Sequence, residues 1–114
     1  MTIDMELQAQ VDAQLLEQGA FTVLEFLIDS GRLIHRDYEG WRRREIGCLD
    51  DVLMGSREKI RTQIELAAGY ARSIGLVEQL QTFYAWGSDA AGGSDRALQI
   101  SVDPQLRRLI AGRY

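Results

Sequence analysis

The run SREKIRTQIELAAGYARSIG, residues 56–75, decides how this chain folds. Ile60, Ile64, Ala67, Ala68, Ala71 and Ile74 recur at helical spacing, with charged and polar residues between them. Ser56 precedes the pattern and can accept a bond from an otherwise unpaired N–H of the first turn. Gly75 follows it as a stop, and Leu76 stands where a residue packs back on the last turn. The spacing predicts a helix over 56–74. Its small-residue face (Ala67, Ala68, Ala71) would let a second helix approach closely.

On the N-terminal side, Leu7, Val11 and Leu15 recur every four residues among Gln8, Gln10, Asp12, Gln14 and Glu17. This predicts an amphipathic helix over residues 1–18 with one narrow apolar stripe, ended or bent by Gly19. Ala20 to Asp29 reads as a more buried helix, with Ser30-Gly31 as its stop. A short helix over Asp37 to Arg44 would put Tyr38 and Trp41 on one face. Leu49 to Met54 suggests one further turn.

After Gly75 the period changes to two. Leu80, Thr82, Tyr84 and Trp86 alternate with Gln79, Gln81, Phe83 and Ala85, and Leu98, Ile100 and Val102 alternate with Gln99 and Ser101. Gly87 to Asp95 is rich in glycine, serine and aspartate, which predicts a hairpin with a long tip. Asp103-Pro104 opens a final helix within 103–114, with the proline at its favoured first position. The expected fold is α+β, mostly α: three to four helices, a wing-like β-hairpin and a short C-terminal helix. At 114 residues it reads as one domain, with its body over 20–102.

Charge divides the chain. Residues 1–31 hold six acids and no lysine or arginine; from Arg32 onward there are 13 Lys/Arg against 11 Asp/Glu. The net charge of -4 counts against strong non-specific binding to nucleic acid, although distribution matters more than the total. Cys48 is the single cysteine, so no intrachain disulfide can form, and a reducing, cytoplasmic setting is expected. The first ten residues lack the basic region and apolar run of a secretory leader. Phe21 to Ile28 is too short to span a bilayer, and Glu25 interrupts it. No membrane partner is expected.

Catalytic chemistry has little to build on. His35 is the only histidine and lies at no recognised ligand spacing from Asp37 or Cys48. Cys48 reads as a small buried filler with no fixed cation beside it. Asp50 and Asp51 point about 100° apart on a helix and read as charges near a helix start. Gly92-Gly93 lacks the following helix that a phosphate-cradling loop needs. No enzyme activity, cofactor, metal or small-molecule substrate is expected.

The order of elements resembles a winged helix-turn-helix domain, over roughly Phe21 to Val102. The resemblance rests on two shorter helices, the long helix beginning Ser56-Arg57, the stop in Ser73-Ile74-Gly75-Leu76-Val77, and the hairpin. It implies that Ser56, Arg57, Lys59, Arg61 and Thr62 enter a DNA major groove, with Arg96 in the wing. Arg42, Arg43 and Arg44, beside Trp41, would meet backbone phosphates. The chain departs from that pattern in its longer third helix, its long segment between Ile34 and Gly55, and its acidic wing tip. The resulting expectation is a DNA-binding transcription regulator, paired through its N-terminal helix. The second reading is an acidic protein-interaction module or small subunit of a larger assembly, docking through Leu7, Val11 and Leu15 on itself or a partner.

Overall fold

The computed structural model describes residues 5–86 and 97–114. Five helices lie among them: α1 (Met5–Gln18), α2 (Val23–Asp29), α3 (His35–Arg42), α4 (Arg57–Ser73) and α5 (Pro104–Ile110), with a 3₁₀ turn at Leu49–Val52. The mostly helical α+β class is as expected. The glycine-rich hairpin tip and Arg96 fall outside the described residues.

Local chemistry sets the helix ends. The Ser56 hydroxyl accepts from the Lys59 N–H at the start of α4, and Gly75 follows its end at φ 93°, where a side chain would be strained. The Asp103 carboxylate accepts from the Gln105 N–H, with Pro104 leading α5. Helix α2 starts later than expected, at Val23, capped by Thr22. Phe21 is instead paired with Tyr114: the Phe21 N–H donates to the Tyr114 carbonyl, and the Tyr114 N–H donates to the Phe21 carbonyl.

Helix α4 is the spine, and it packs against both α1 and α5. Ala67, Ala68 and Ala71 are buried on it, as the small-residue face requires. Tyr70 on α4 donates to Asp12 on α1 at 2.8 Å. The Gln14 amide, almost fully buried, clamps both backbone groups of Thr22, accepting from its N–H and donating to its carbonyl. A buried amide satisfied at both ends costs little to desolvate, so the connection between α1 and α2 is fixed.

The sheet forms between partners other than those expected. Strand β1 (Gln79–Leu80) pairs antiparallel with β2 (Gly112–Arg113), which follows α5 directly, so the C-terminal helix does not run through 103–114. Thr22 bridges Arg113 on the other side. Of the hairpin between 79–86 and 98–102, the described residues carry one backbone bond, from the Leu98 N–H to the Phe83 carbonyl at 2.7 Å. The second arm is drawn elsewhere. The Leu49 and Asp50 N–H groups donate to the carbonyls of Gln99 and Ile100, and the Trp41 indole donates to Gln99 O at 2.8 Å.

Candidate interaction surface

Trp41 is fully buried, and its ring meets Phe83 edge-on at 5.6 Å between centroids. That contact turns Phe83 inward. Because side chains alternate along an extended segment, Leu80, Thr82, Tyr84 and Trp86 then face outward. Leu80, Tyr84 and Trp86 are 56%, 49% and 47% exposed, while Phe83 is buried.

Arg42 fixes this segment. Its Nε donates to the Tyr38 hydroxyl at 3.0 Å, and one terminal nitrogen donates to the Tyr84 carbonyl at 2.8 Å. Its guanidinium carbon lies 5.1 Å from the Phe83 ring, 5.6 Å from Tyr38 and 5.9 Å from Trp86. The Trp86 backbone N–H returns a bond to the Arg42 carbonyl at 2.7 Å. Trp86 also meets Tyr38 edge-on at 5.7 Å. A delocalised cation among ring faces is held by quadrupole attraction as well as by hydrogen bonds.

The other cations expected in the DNA groove or at its phosphates are distributed differently. Arg57 lies 3.5 Å from the Asp50 carboxylate and donates to the Asp50 carbonyl at 2.9 Å. Arg61 is 2.8 Å from Asp103, and Arg43 is 3.3 Å from Glu45. Arg44 ends the α3 region at φ 64°, a left-handed backbone that is uncommon outside glycine. Lys59 and Thr62 line an open recess of about 430 Å³ with Arg32, Ser56, Glu58 and Gln63. Within it the Thr62 hydroxyl donates to the Glu58 carbonyl, and Arg32 donates to Gln63 and to the Met54 carbonyl.

The apolar stripe of α1 is consumed by the core. Leu7 and Val11 are buried and Leu15 packs against them half-buried, leaving Leu16 exposed. Burying Leu7 and Val11 contributes about 1.5–3 kcal/mol each, so neither is released cheaply for docking. An amphipathic pattern marks a face that must be covered; it does not say whether the cover comes from the same chain.

A polar knot that sequence reasoning missed lies between the 3₁₀ turn and the second arm. Asp50 is buried and accepts from the fully buried Ser101 hydroxyl at 2.7 Å and from the Cys48 thiol at 3.0 Å. Ser101 in turn accepts from the Asp103 N–H at 3.0 Å. Only an aspartate two residues from a cysteine hinted at it. Cys48 is partly exposed and hydrogen-bonded, not the buried filler its neighbours suggested. Desolvation, then the bond to Asp50, pushes its thiol from 9.0 up to about 11. Since the thiolate is the reactive form, alkylation by iodoacetamide should stay slow at pH 8 and rise toward pH 11. Half-maximal alkylation near pH 9 would contradict this geometry.

A second knot ties the end of the chain. Glu78 accepts from Arg108 at 3.0 Å and from the Tyr114 hydroxyl at 2.7 Å, with Arg72 3.5 Å away. Desolvation, then the bond to Glu78, pushes the Tyr114 phenol up to about 12. Among the described residues, no group of three His, Cys, Asp or Glu side chains could hold a metal ion, and no helix is long and apolar enough to cross a membrane.

No family model, curated protein or solved structure matches the chain.

Proposed function

We propose that this chain is a non-catalytic interaction module that binds another protein through the outward stripe of Leu80, Tyr84 and Trp86. What carries the reading is that three large apolar side chains within one short segment, each about half-exposed, stand where Arg42 pins the backbone. Aromatic residues held rigidly at a surface lose little entropy on binding and are the usual anchors of protein interfaces.

The test is site-specific photocrosslinking in the source cells. Benzoylphenylalanine in place of Trp86 should trap a discrete partner band. The same probe at exposed Arg36 should not, and Leu80→Ser with Tyr84→Ser should abolish the band without lowering the melting temperature. Identical crosslinking at both positions, or a band indifferent to the two serines, would sink the reading.

DNA binding by a winged-helix-like regulator stands second. It would use Ser56, Arg57, Lys59, Arg61 and Thr62 in the groove and Arg42 to Arg44 on phosphates. Arg57, Arg61 and Arg43 sit at carboxylates, and Arg42 is held among rings, so binding would have to break those contacts first. A mobility-shift assay on mixed duplex DNA at low salt is expected to show no complex at micromolar protein. A shift that weakens steeply with added salt would reverse the order of the two readings.

A further inference from the structure

Between α5 and residues 80–83 runs a groove of about 430 Å³, within the size range of ordinary ligand clefts. Leu80, Phe83, Leu98, Ile100 and Ala111 give it an apolar lining, and Arg107 and Arg108 stand on its helical wall. It opens where the two expected hairpin arms part, one toward β2 and the other toward the 3₁₀ turn.

The groove is cationic on a chain that is acidic overall. From Pro104 to Tyr114 the sequence carries Arg107, Arg108 and Arg113 and no acidic side chain. Among the described residues, the two neighbouring carboxylates are already committed. Asp103 holds Arg61, and Glu78 is shared by Arg72, Arg108 and Tyr114. Arg107 has no ion pair among the described residues. An apolar floor beside an uncommitted cation complements an apolar group that carries a negative charge next to it.

The occupant follows from continuity. Leu80 and Thr82 belong both to the groove wall and to the outward side that bears Tyr84 and Trp86. A polypeptide covering those two rings runs directly into the groove; a free fatty acid would have no reason to touch them. Resting on the protein-binding reading above, we infer that the groove receives an acidic, apolar segment of the partner protein, with an apolar side chain on the floor and a carboxylate at Arg107.

Two capped hexapeptides, Glu-Leu-Glu-Phe-Glu-Leu and Lys-Leu-Lys-Phe-Lys-Leu, would be titrated into the isotope-labelled full chain and followed by amide chemical shifts. The acidic peptide should move Leu80 to Phe83, Leu98 and Arg107. Arg107→Gln should weaken it by up to about fivefold, the worth of one partly exposed ion pair. Arg107→Glu should invert the preference toward the lysine peptide, and raised salt should weaken the acidic peptide only. Unchanged melting temperatures would establish that both variants are folded.

Equal affinity of both peptides for both variants overturns the inference, as does no shift with either peptide. Shifts confined to Tyr84 and Trp86 also overturn it while leaving the stripe in place; loss of the Trp86 crosslink with groove shifts intact would fault the stripe instead. Sodium decanoate is the third arm. Tighter binding of decanoate than of the acidic peptide, with the same shifts, would assign the groove to a free acid. Self-association seen at titration concentrations and broken by Arg107→Glu would assign it to a second copy of this chain.

Discussion

Trp41→Ala is expected to lower stability by about 3–5 kcal/mol, the usual loss for truncating a fully buried aromatic side chain. The ring lies against Phe83 and near Tyr38, and its indole N–H reaches the Gln99 carbonyl, joining α3 to both arms of the region after Gly75. Removing it opens a cavity at the meeting point of three segments, and backbone closure there is opposed by Arg42 and the Leu49–Gln99 bond. Denaturant unfolding monitored by circular dichroism would measure the loss. Trp41→Phe separates the contributions, keeping most of the burial while forfeiting the indole bond, at a cost nearer 1–2 kcal/mol. A loss below about 1 kcal/mol for the alanine variant would mean that Trp41 is not the core's anchor. Because the sequence holds only two tryptophans, the emission of Trp86 in Trp41→Ala also reports on the exposed stripe. It should move toward that of free tryptophan as segment 83–86 loosens.

Asp50→Ala should cost about 3 kcal/mol, for a different reason. The carboxylate is buried while Arg57 is half-exposed, so the ion pair itself contributes modestly. The larger loss comes from Ser101, whose fully buried hydroxyl is left without its acceptor, and from the Cys48 thiol. The diagnostic experiment is a double-mutant cycle by thermal or denaturant unfolding. Ser101→Ala alone is expected to be costly, because it removes the shortest hydrogen bond to the buried Asp50 carboxylate and takes the side-chain acceptor from the Asp103 N–H. Asp50→Ala with Ser101→Ala should cost clearly less than the sum of the singles, since each single variant already loses the bond between them. Strict additivity would show that the two groups do not depend on one another.

The two knots and the Arg42 cluster explain why the exposed stripe is presented at all. Arg42 and Trp41 hold residues 83–86 from one side, and Asp50 with Ser101 holds the second arm from the other. Two of the expected DNA-contacting arginines are part of the same scaffolding: Arg57 joins the Asp50 knot, and Arg61 joins α4 to the cap of α5. Of the cations that read as a binding face along the chain, Arg42, Arg57 and Arg61 tie separate elements together in the fold.

What the sequence determined by itself is local. Ser56 and Gly75 bound α4, Asp103-Pro104 opens α5, and the spacing of Leu7 and Val11 makes α1 amphipathic, because each depends on atoms a few residues apart. Tertiary structure decided everything that depends on which surfaces meet. A period of two over 79–86 guarantees two faces but not which one is buried; Trp41 settles that by taking Phe83 inward, leaving Leu80, Tyr84 and Trp86 outside. The apolar stripe of α1 required a cover, and only packing made that cover the chain's own core. Gln79–Leu80 could have paired with the following arm, but α5 returns Gly112–Arg113 to it. Charge pairing has the same character. Coulombic attraction and hydrogen bonding act through space, so Arg57 with Asp50 and Arg61 with Asp103 become visible only once the backbone has brought them together.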